Sequence, residues 1–461
     1  MTGANSAFES GSKTRVGPSP PQVAECLSHA IRFQTISYDD PTRLDRKAFA
    51  GLHALLQTAY PRLHTTLTRQ TISDISLLYT WTGADASLEP LMLLAHQDVV
   101  PAQDTAGWKY PPFSGQIAEG AVWGRGAIDV KGPLIAICQA VEQLIGQGFK
   151  PRRTIYLAFG HDEEVGGLDG AAAIGELLGR HGVRPLLISD EGGAIVEGMV
   201  PGVRKPVALV GIAEKGYLTL ELKVTALGGH ASMPPASSAI GILNGAIRIL
   251  ENHPFPARVG QVTGQMLRAL AGELPFASRL AARYLRLCEP LVRRRLAATP
   301  AGAASLRTTT AVTMLRAGVK DNILPQNAVA TVNCRIAPGE SSQTVIERVK
   351  KIISDDRVAV SRAGRFHSEP SPVAPVDSPG FQLVSQTINQ IAPDAVVAPF
   401  LVLGGTDSRH YTRLTPCVLR FSAIRVSQAD LNTIHANNEH LTFENCRLLV
   451  DFYVRLISNA G

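Results

Sequence analysis

Four clusters of polar residues punctuate the first half of this 461-residue chain, and their side chains are of the kinds that hold cations and move protons. His96-Gln97-Asp98 follows the apolar run 91–95, Asp162-Glu163-Glu164 follows the run 154–159, and Asp190-Glu191 follows 185–188. The fourth, Asp129-Val130-Lys131, lies between Gly124, Gly126 and Gly132 and opens a helix. Singly, each has a plain reading: a histidine at a strand end is commonly structural, and acids after a strand cap the next helix. Together they say more. The strand C-termini of one sheet converge on one crevice, and carboxylates crowded there repel one another unless cations hold them. Imidazole and carboxylate ligands suit Zn²⁺, and a carboxylate shared between two ions makes a two-metal site. Of two adjacent glutamates, one can ligate while the other transfers protons.

The elements that must position these residues alternate between helix and strand. Helical periodicity over 22–33, 46–60, 133–145 and 170–178 is interleaved with the apolar runs, which predicts an α/β fold whose parallel or mixed sheet is covered on both faces. After Lys215 the pattern changes. Residues 218–225 alternate like a half-exposed strand, 239–252 and 341–353 read as helices, and 308–314, 328–336 and 357–361 read as strands. These predict an α+β unit with an antiparallel sheet, inserted into the first domain, with an extra Leu/Ala/Arg-rich helical stretch over 264–298. The expected organisation is a flexible tail over 1–21, a first catalytic part over 22–214, an inserted lid over 215–366 and a second catalytic part over 367–461.

Composition narrows the class. Hydrophobic residues make up 45% and charged residues 18% of the chain, as in a globular protein rather than a disordered one. A formal charge of +6 and a pI near 9.0 are mild for this length, and the basic residues are scattered, which argues against nucleic-acid binding. The one dense cluster, Arg293-Arg294-Arg295 with Arg283 and Arg286 upstream, reads as a solvated helix face, with attraction for acidic groups as the alternative. Six widely spaced cysteines form no CxxC pair. They point to free thiols and a cytoplasmic location, and no apolar run is long enough to span a membrane.

The motifs resemble those of a known family. His96-x-Asp98-Val-Val-Pro101, Gly126-Ala-x-Asp129-x-Lys131-Gly132 and Asp162-Glu163-Glu164-Val-Gly-Gly167 are followed by Asp190-Glu-Gly-Gly and Gly229-His230-Ala-Ser-x-Pro-Pro235. Asn322-Ile-Leu-Pro325, Gly405-Thr-Asp-Ser-Arg409 and Ile434-His435 complete the series. In order and spacing, from about residue 22 to 455, the series resembles the aminoacylase, carnosinase and carboxypeptidase S family of two-zinc hydrolases. Ala213-Glu-Lys-Gly216, Arg307-Thr-Thr-Thr310 and Ala317-Gly-Val-Lys320 are most similar to the branch of carboxypeptidase S and the N-fatty-acyl-amino-acid synthase/hydrolases.

The resemblance implies a mixed-sheet zinc-exopeptidase catalytic domain with an inserted α+β lid of the dimerisation type. It implies two Zn²⁺ ions, with Co²⁺ or Mn²⁺ as substitutes. His96 and Glu164 would be terminal ligands of different ions, Asp129 would bridge them, and Asp190 and His435 would complete the sets, with Glu191 as the alternative to Asp190. Asp98 would fix the tautomer of His96, and Glu163 would be the general base that activates a metal-bridging water. His230 would stabilise the oxyanion, from the same chain or from the partner of a homodimer. Asn322 and Arg409 would hold the substrate carboxylate and backbone; the plainer reading is a buried arginine paired with Asp407 or Asp321. Lys131 and Trp123 are expected to shape their loop, and His161 and Gln97 depart from the family pattern without displacing a ligand or the base.

The function implied is an amidohydrolase that cleaves, or reversibly forms, the amide bond of N-acyl amino acids. The alternative is a metallo-exopeptidase, carboxypeptidase or dipeptidase, acting on short peptides. A non-catalytic zinc-stabilised binding protein is the reading from a different class, and the presence of Glu163 beside a full donor set speaks against it. The apolar stretch 264–298 hints at an acyl chain, against the plainer reading of core or dimer packing.

Overall fold

The computed structural model describes residues 20–102 and 105–461, so nearly all of the tail expected over 1–21 lies outside the described residues. Helices α1 (Pro20–Arg32) and α2 (Arg46–Ala59) lead into strands β1 (Thr68–Ile72), β2 (Ser76–Trp81) and β3 (Leu91–His96). Then come α3 (Gly132–Gly146), β4 (Ile155–Gly160), α4 (Ala171–Arg180), β5 (Leu187–Asp190), β6 (Ile195–Val196) and β7 (Val207–Glu214). The chain next builds β8 (Gly216–Thr225), α5 (Ala239–Asn252), α6 (Gln261–Ala269), α7 (Phe276–Arg283) and α8 (Leu285–Leu296). Strands β9 (Thr309–Ala317) and β10 (Asn327–Ile336), helix α9 (Ser342–Ile353) and strand β11 (Val358–Ser368) follow. It ends with α10 (Pro379–Ile391), β12 (Val396–Val402), β13 (Val418–Arg420), β14 (Arg425–Val426) and α11 (Phe443–Ala460).

The larger sheet runs β1-β2-β4-β3-β5-β13-β7-β6-β14, with β12 also paired to β7. It is mixed, as expected: β3 is parallel to β4 and β5, while β2 is antiparallel to β4. Period-two alternation explains why its strands are apolar throughout. Leu91, Leu93 and Ala95 of β3 face the layer of α1, α2, α3, α10 and α11, whereas Met92 and Leu94 face α4. His96 and Gly160 are register partners at the ends of β3 and β4, so the loops that follow them emerge side by side. Strands β1 and β2 escaped the sequence reading; β1 is an exposed edge strand with no apolar run to announce it.

The smaller sheet, β9-β10-β8-β11, is antiparallel throughout. Leu218, Leu220, Leu222 and Val224 point to one face, where they meet Ala330, Val332 and Cys334 of β10 and the apolar sides of α5 and α9. One residue, Lys215, separates β7 of the large sheet from β8 of the small one. On the way back, Ser371 N donates to Glu214 O at 3.1 Å and Glu214 N donates to Ser371 Oγ at 2.9 Å, so departure and return are hydrogen-bonded neighbours.

The helical stretch expected inside the lid packs elsewhere. Val262, Leu270, Leu274 and Ala282 join the core of the large sheet, α6 lies against β12, and Glu273 is bridged to Lys205 at 2.9 Å. No described helix is long and apolar enough to cross a membrane.

Candidate metal centre

His96, the last residue of β3, is buried, and its Nδ1 lies 2.9 Å from the Asp98 carbonyl and 3.4 Å from Asp98 Oδ1. In the neutral ring that contact holds the proton on Nδ1 and turns the lone pair of Nε2 into the crevice. There Nε2 meets Asp129 Oδ1 at 3.0 Å and Glu191 Oε1 at 3.2 Å. A matching half faces it. His435 Nε2 lies 3.0 Å from Asp129 Oδ2 and 3.2 Å from Glu164 Oε2. The two oxygens of Asp129 thus each serve one imidazole–carboxylate pair.

Asp129 is held by a residue that sequence reasoning missed. Glu439, fully buried, accepts from the backbone N–H groups of Gly126 (3.0 Å), Ile128 (2.9 Å) and Asp129 (3.1 Å), and from Arg125 Nη1 at 2.6 Å. The Glu163-Glu164 turn is held the same way by Asp98, whose carboxylate accepts from Glu163 N, Glu164 N and Ser37 Oγ. Asp98 therefore does more than was expected of it. Its carbonyl is the nearer partner of His96, and its carboxylate fixes the Glu163-Glu164 turn. Gly167 closes that turn at φ +67°, and a Cβ there would lie 2.2 Å from Asp407 Oδ1.

Glu191, and not the favoured Asp190, reaches the crevice. Asp190 ends β5 with its oxygens occupied by the N–H of Ser408 (Oδ2, 2.8 Å) and of Glu191 (Oδ1, 2.9 Å). The residue beyond the strand end is the one turned toward His96. Arg409 Nη2 grips Glu163 Oε1 at 2.7 Å and its guanidinium lies 4.9 Å from the centre of the Phe366 ring, so its partner is neither Asp407 nor Asp321. His230 and Asn322 are exposed on the smaller lobe, where His230 Nδ1 is bonded by Ser232 and Asn322 O accepts from Ala231 N. Neither reaches the cluster of its own chain among the described contacts.

Arg335, on β10, was not singled out in the sequence. It stacks on Tyr217 at 4.6 Å and donates to Asn333, and burial, helped by the neighbouring Arg409 charge and opposed by Tyr217 and Glu163, lowers its pKa. Gln97 and His161 are structural: Gln97 Nε2 donates to Phe159 O, and His161 bonds Ser76. Lys131 is buried, donates to the carbonyls of Ala30 and Phe33, and has its pKa lowered to about 7 by burial.

The donor set fits a pair of divalent cations. The ligand atoms of His96, Asp129 and Glu164 lie within 4.8 Å of one another, as do those of His96, Glu163 and Glu191. Glu164 Oε1 is buried with no hydrogen-bond partner, as a lone pair reserved for a cation would be. Electrostatics agree. Burial, then the charge of Asp129, pushes Glu164 to about 7 and Glu191 to about 8. Hydrogen bonds to Asp129 and Glu164 raise His435 to about 10. Burial also raises Glu163 well above the usual carboxylate range, against the pull of Arg409.

These groups bind more protons in the metal-free folded chain than in the unfolded one, because the folded pKa values lie above the ordinary 4.5 of glutamate and 6.5 of histidine. The stability of the metal-free protein therefore falls as pH rises from about 5 to about 8, and metal, which binds the deprotonated side chains, reverses the trend. Calorimetric melting with and without metal across that range checks this. A metal-free midpoint that rises with pH would contradict it.

The mixed sheet and the two-histidine, carboxylate-rich crevice at its strand ends define a metal-dependent hydrolase. The model of peptidase family M20/M25/M40 matches residues 92–459, and the chain belongs to that family. It is 42% identical over 442 residues to a probable carboxypeptidase S-like protein of Dictyostelium discoideum, covering 95% of this chain and 85% of that protein. It is 39% identical over 443 residues to an N-fatty-acyl-amino acid synthase/hydrolase of Xenopus tropicalis, covering 95% and 86%. Among solved structures, a metallo-carboxypeptidase of the M20 family from Sulfolobus solfataricus shares the fold, with a TM-score of 0.71 at 16% identity, over 95% of this chain and 99% of that one.

Proposed function

We propose that this hydrolase cleaves, or in reverse forms, the amide bond of N-acyl amino acids, using two zinc ions. The observation that carries the reading is the division of Asp129 between two imidazole–carboxylate pairs with Glu163 beside them. His96, Asp129 and Glu191 would hold one ion and His435, Asp129 and Glu164 the other. Bound there, the ions supply Lewis acidity and lower the pKa of water. Glu163 takes the proton of the attacking water and delivers it to the departing amine. Arg409 keeps that carboxylate aimed, and Arg335, with Asn333 as its hydrogen-bond partner, is the cation available to a substrate carboxylate. His230 is exposed and away from its own cluster, which supports a homodimer in which it reaches the partner's site and stabilises the oxyanion.

The assignment of Glu191 has its own check. Glu191→Gln lowers bound metal from about two equivalents toward one, whereas Asp190→Asn keeps both and loses stability instead. Elemental analysis of the dialysed proteins separates the cases, and retention of both ions by Glu191→Gln would return the role to Asp190.

The names of the relatives support both an acylase and a carboxypeptidase reading. The deciding experiment is hydrolysis by the zinc-loaded protein of N-acetyl, N-lauroyl and N-oleoyl amino acids beside unblocked dipeptides. Preference for the acylated amino acids supports the proposal. Cleavage of dipeptides alone moves the assignment to an exopeptidase.

A further inference from the structure

We propose that the outer face of α7 and α8 docks this protein on an anionic lipid surface. Phe276 is 80% exposed and Leu280 49%, one helical turn apart on α7; Leu287 is 82% exposed and Leu291 66%, one turn apart on α8. Tyr284, 51% exposed, sits at the joint. The inner side is anchored. Ala282 and Leu274 are buried in the core of the large sheet, and Leu285 closes on Gly264 of α6, which lies against β12. The chain thus carries a helix pair, held to the rest of the fold through Ala282 and Leu285, that exposes several large apolar side chains, an arrangement that costs free energy in water unless something covers them.

Charge says what covers it. Residues 274–300 contain six arginines and one carboxylate, Glu289, which faces Arg293 at 3.8 Å. Arg279, Arg283, Arg286, Arg294 and Arg295 are exposed among the apolar side chains. A second copy of the face would set arginines against arginines, which disfavours self-association. Leucine and aromatic side chains interleaved with arginine are the pattern of a helix lying in the plane of a membrane interface. There the apolar side chains enter the headgroup boundary and the guanidinium groups meet lipid phosphate. The attachment is peripheral and independent of which amide bond the site cleaves.

Flotation of the full-length protein with vesicles tests this. Vesicles of phosphatidylcholine and phosphatidylglycerol are expected to carry the protein at low salt and to release it as salt rises, while phosphatidylcholine alone does not. Leu287→Asp with Leu291→Asp, and separately Arg283→Glu with Arg286→Glu, are expected to weaken binding at least about tenfold with unchanged melting temperature. Leu227→Asp, at an 85% exposed leucine outside α7 and α8, is expected to leave it intact. No binding to the anionic vesicles at low salt overturns the proposal, as does an equal loss in Leu227→Asp. So does light scattering that shows Leu287→Asp with Leu291→Asp dissociating an oligomer held by this face.

Discussion

Glu163→Gln lowers kcat by about 10²–10⁴-fold while the metal content of the protein stays the same. The amide keeps the size of the side chain and can still accept a hydrogen bond from Arg409, so the turn anchored by Asp98 is undisturbed. What disappears is the ability to take a proton from water and return it to the amine. KM changes little if Glu163 acts on the proton alone, because ground-state binding does not use it. Steady-state kinetics on one N-acyl amino acid, with metal analysis of the same preparation, give both readings. A loss of metal in parallel with activity would make Glu163 a ligand, and a loss smaller than about tenfold would remove it from proton transfer.

Glu439→Ala destabilises the fold by about 3–5 kcal/mol, the cost of stripping one partner from a buried ion pair. Arg125 is left with its charge uncompensated in the interior, and three backbone N–H groups that ended on the Glu439 carboxylate lose their acceptor. Those N–H groups belong to the loop that presents Asp129, so metal affinity falls together with stability. Guanidinium unfolding of the metal-free protein, with an unchanged slope, reads the first effect, and competition with a chelator reads the second. A loss under about 1 kcal/mol would show that water enters and replaces the missing oxygens.

The parts of this molecule that were legible in the sequence are those encoded by neighbours along the chain. Burial on both faces writes β3 and β4 as unbroken apolar runs, and the polar residues that follow them fall at strand ends where loops converge. That His96, Asp129, Glu164 and His435 meet in one crevice could be read because each belongs to a compact motif. The choice between Asp190 and Glu191 could not, because a segment 218 residues away decides it, when Ser408 N claims Asp190 Oδ2. Glu439 carries no local signal either; its purpose is set by N–H groups more than 300 residues upstream. The helical stretch after α5 was assigned to the lid because it lies between lid strands, yet its apolar residues found a better partner in β12.

The point where the chain leaves the large sheet lies one hydrogen bond from the point where it returns. Everything between Glu214 and Ser371 is therefore a cassette whose two ends are already joined in space, and closing the gap behind it needs only a short turn. The large sheet keeps its strand order whether the cassette is present, shortened or exchanged, since none of its pairings runs through those residues. What removal would uncover is the face of β12 on which α6 sits, and the side of Arg409 and Gly166 that Phe366 covers. His96, Asp129, Glu163, Glu164, Glu191 and His435 lie outside the cassette and would remain, while His230 and Arg335 would go with it. On this plan, one crevice can be offered to different amides by changing a single contiguous stretch of chain.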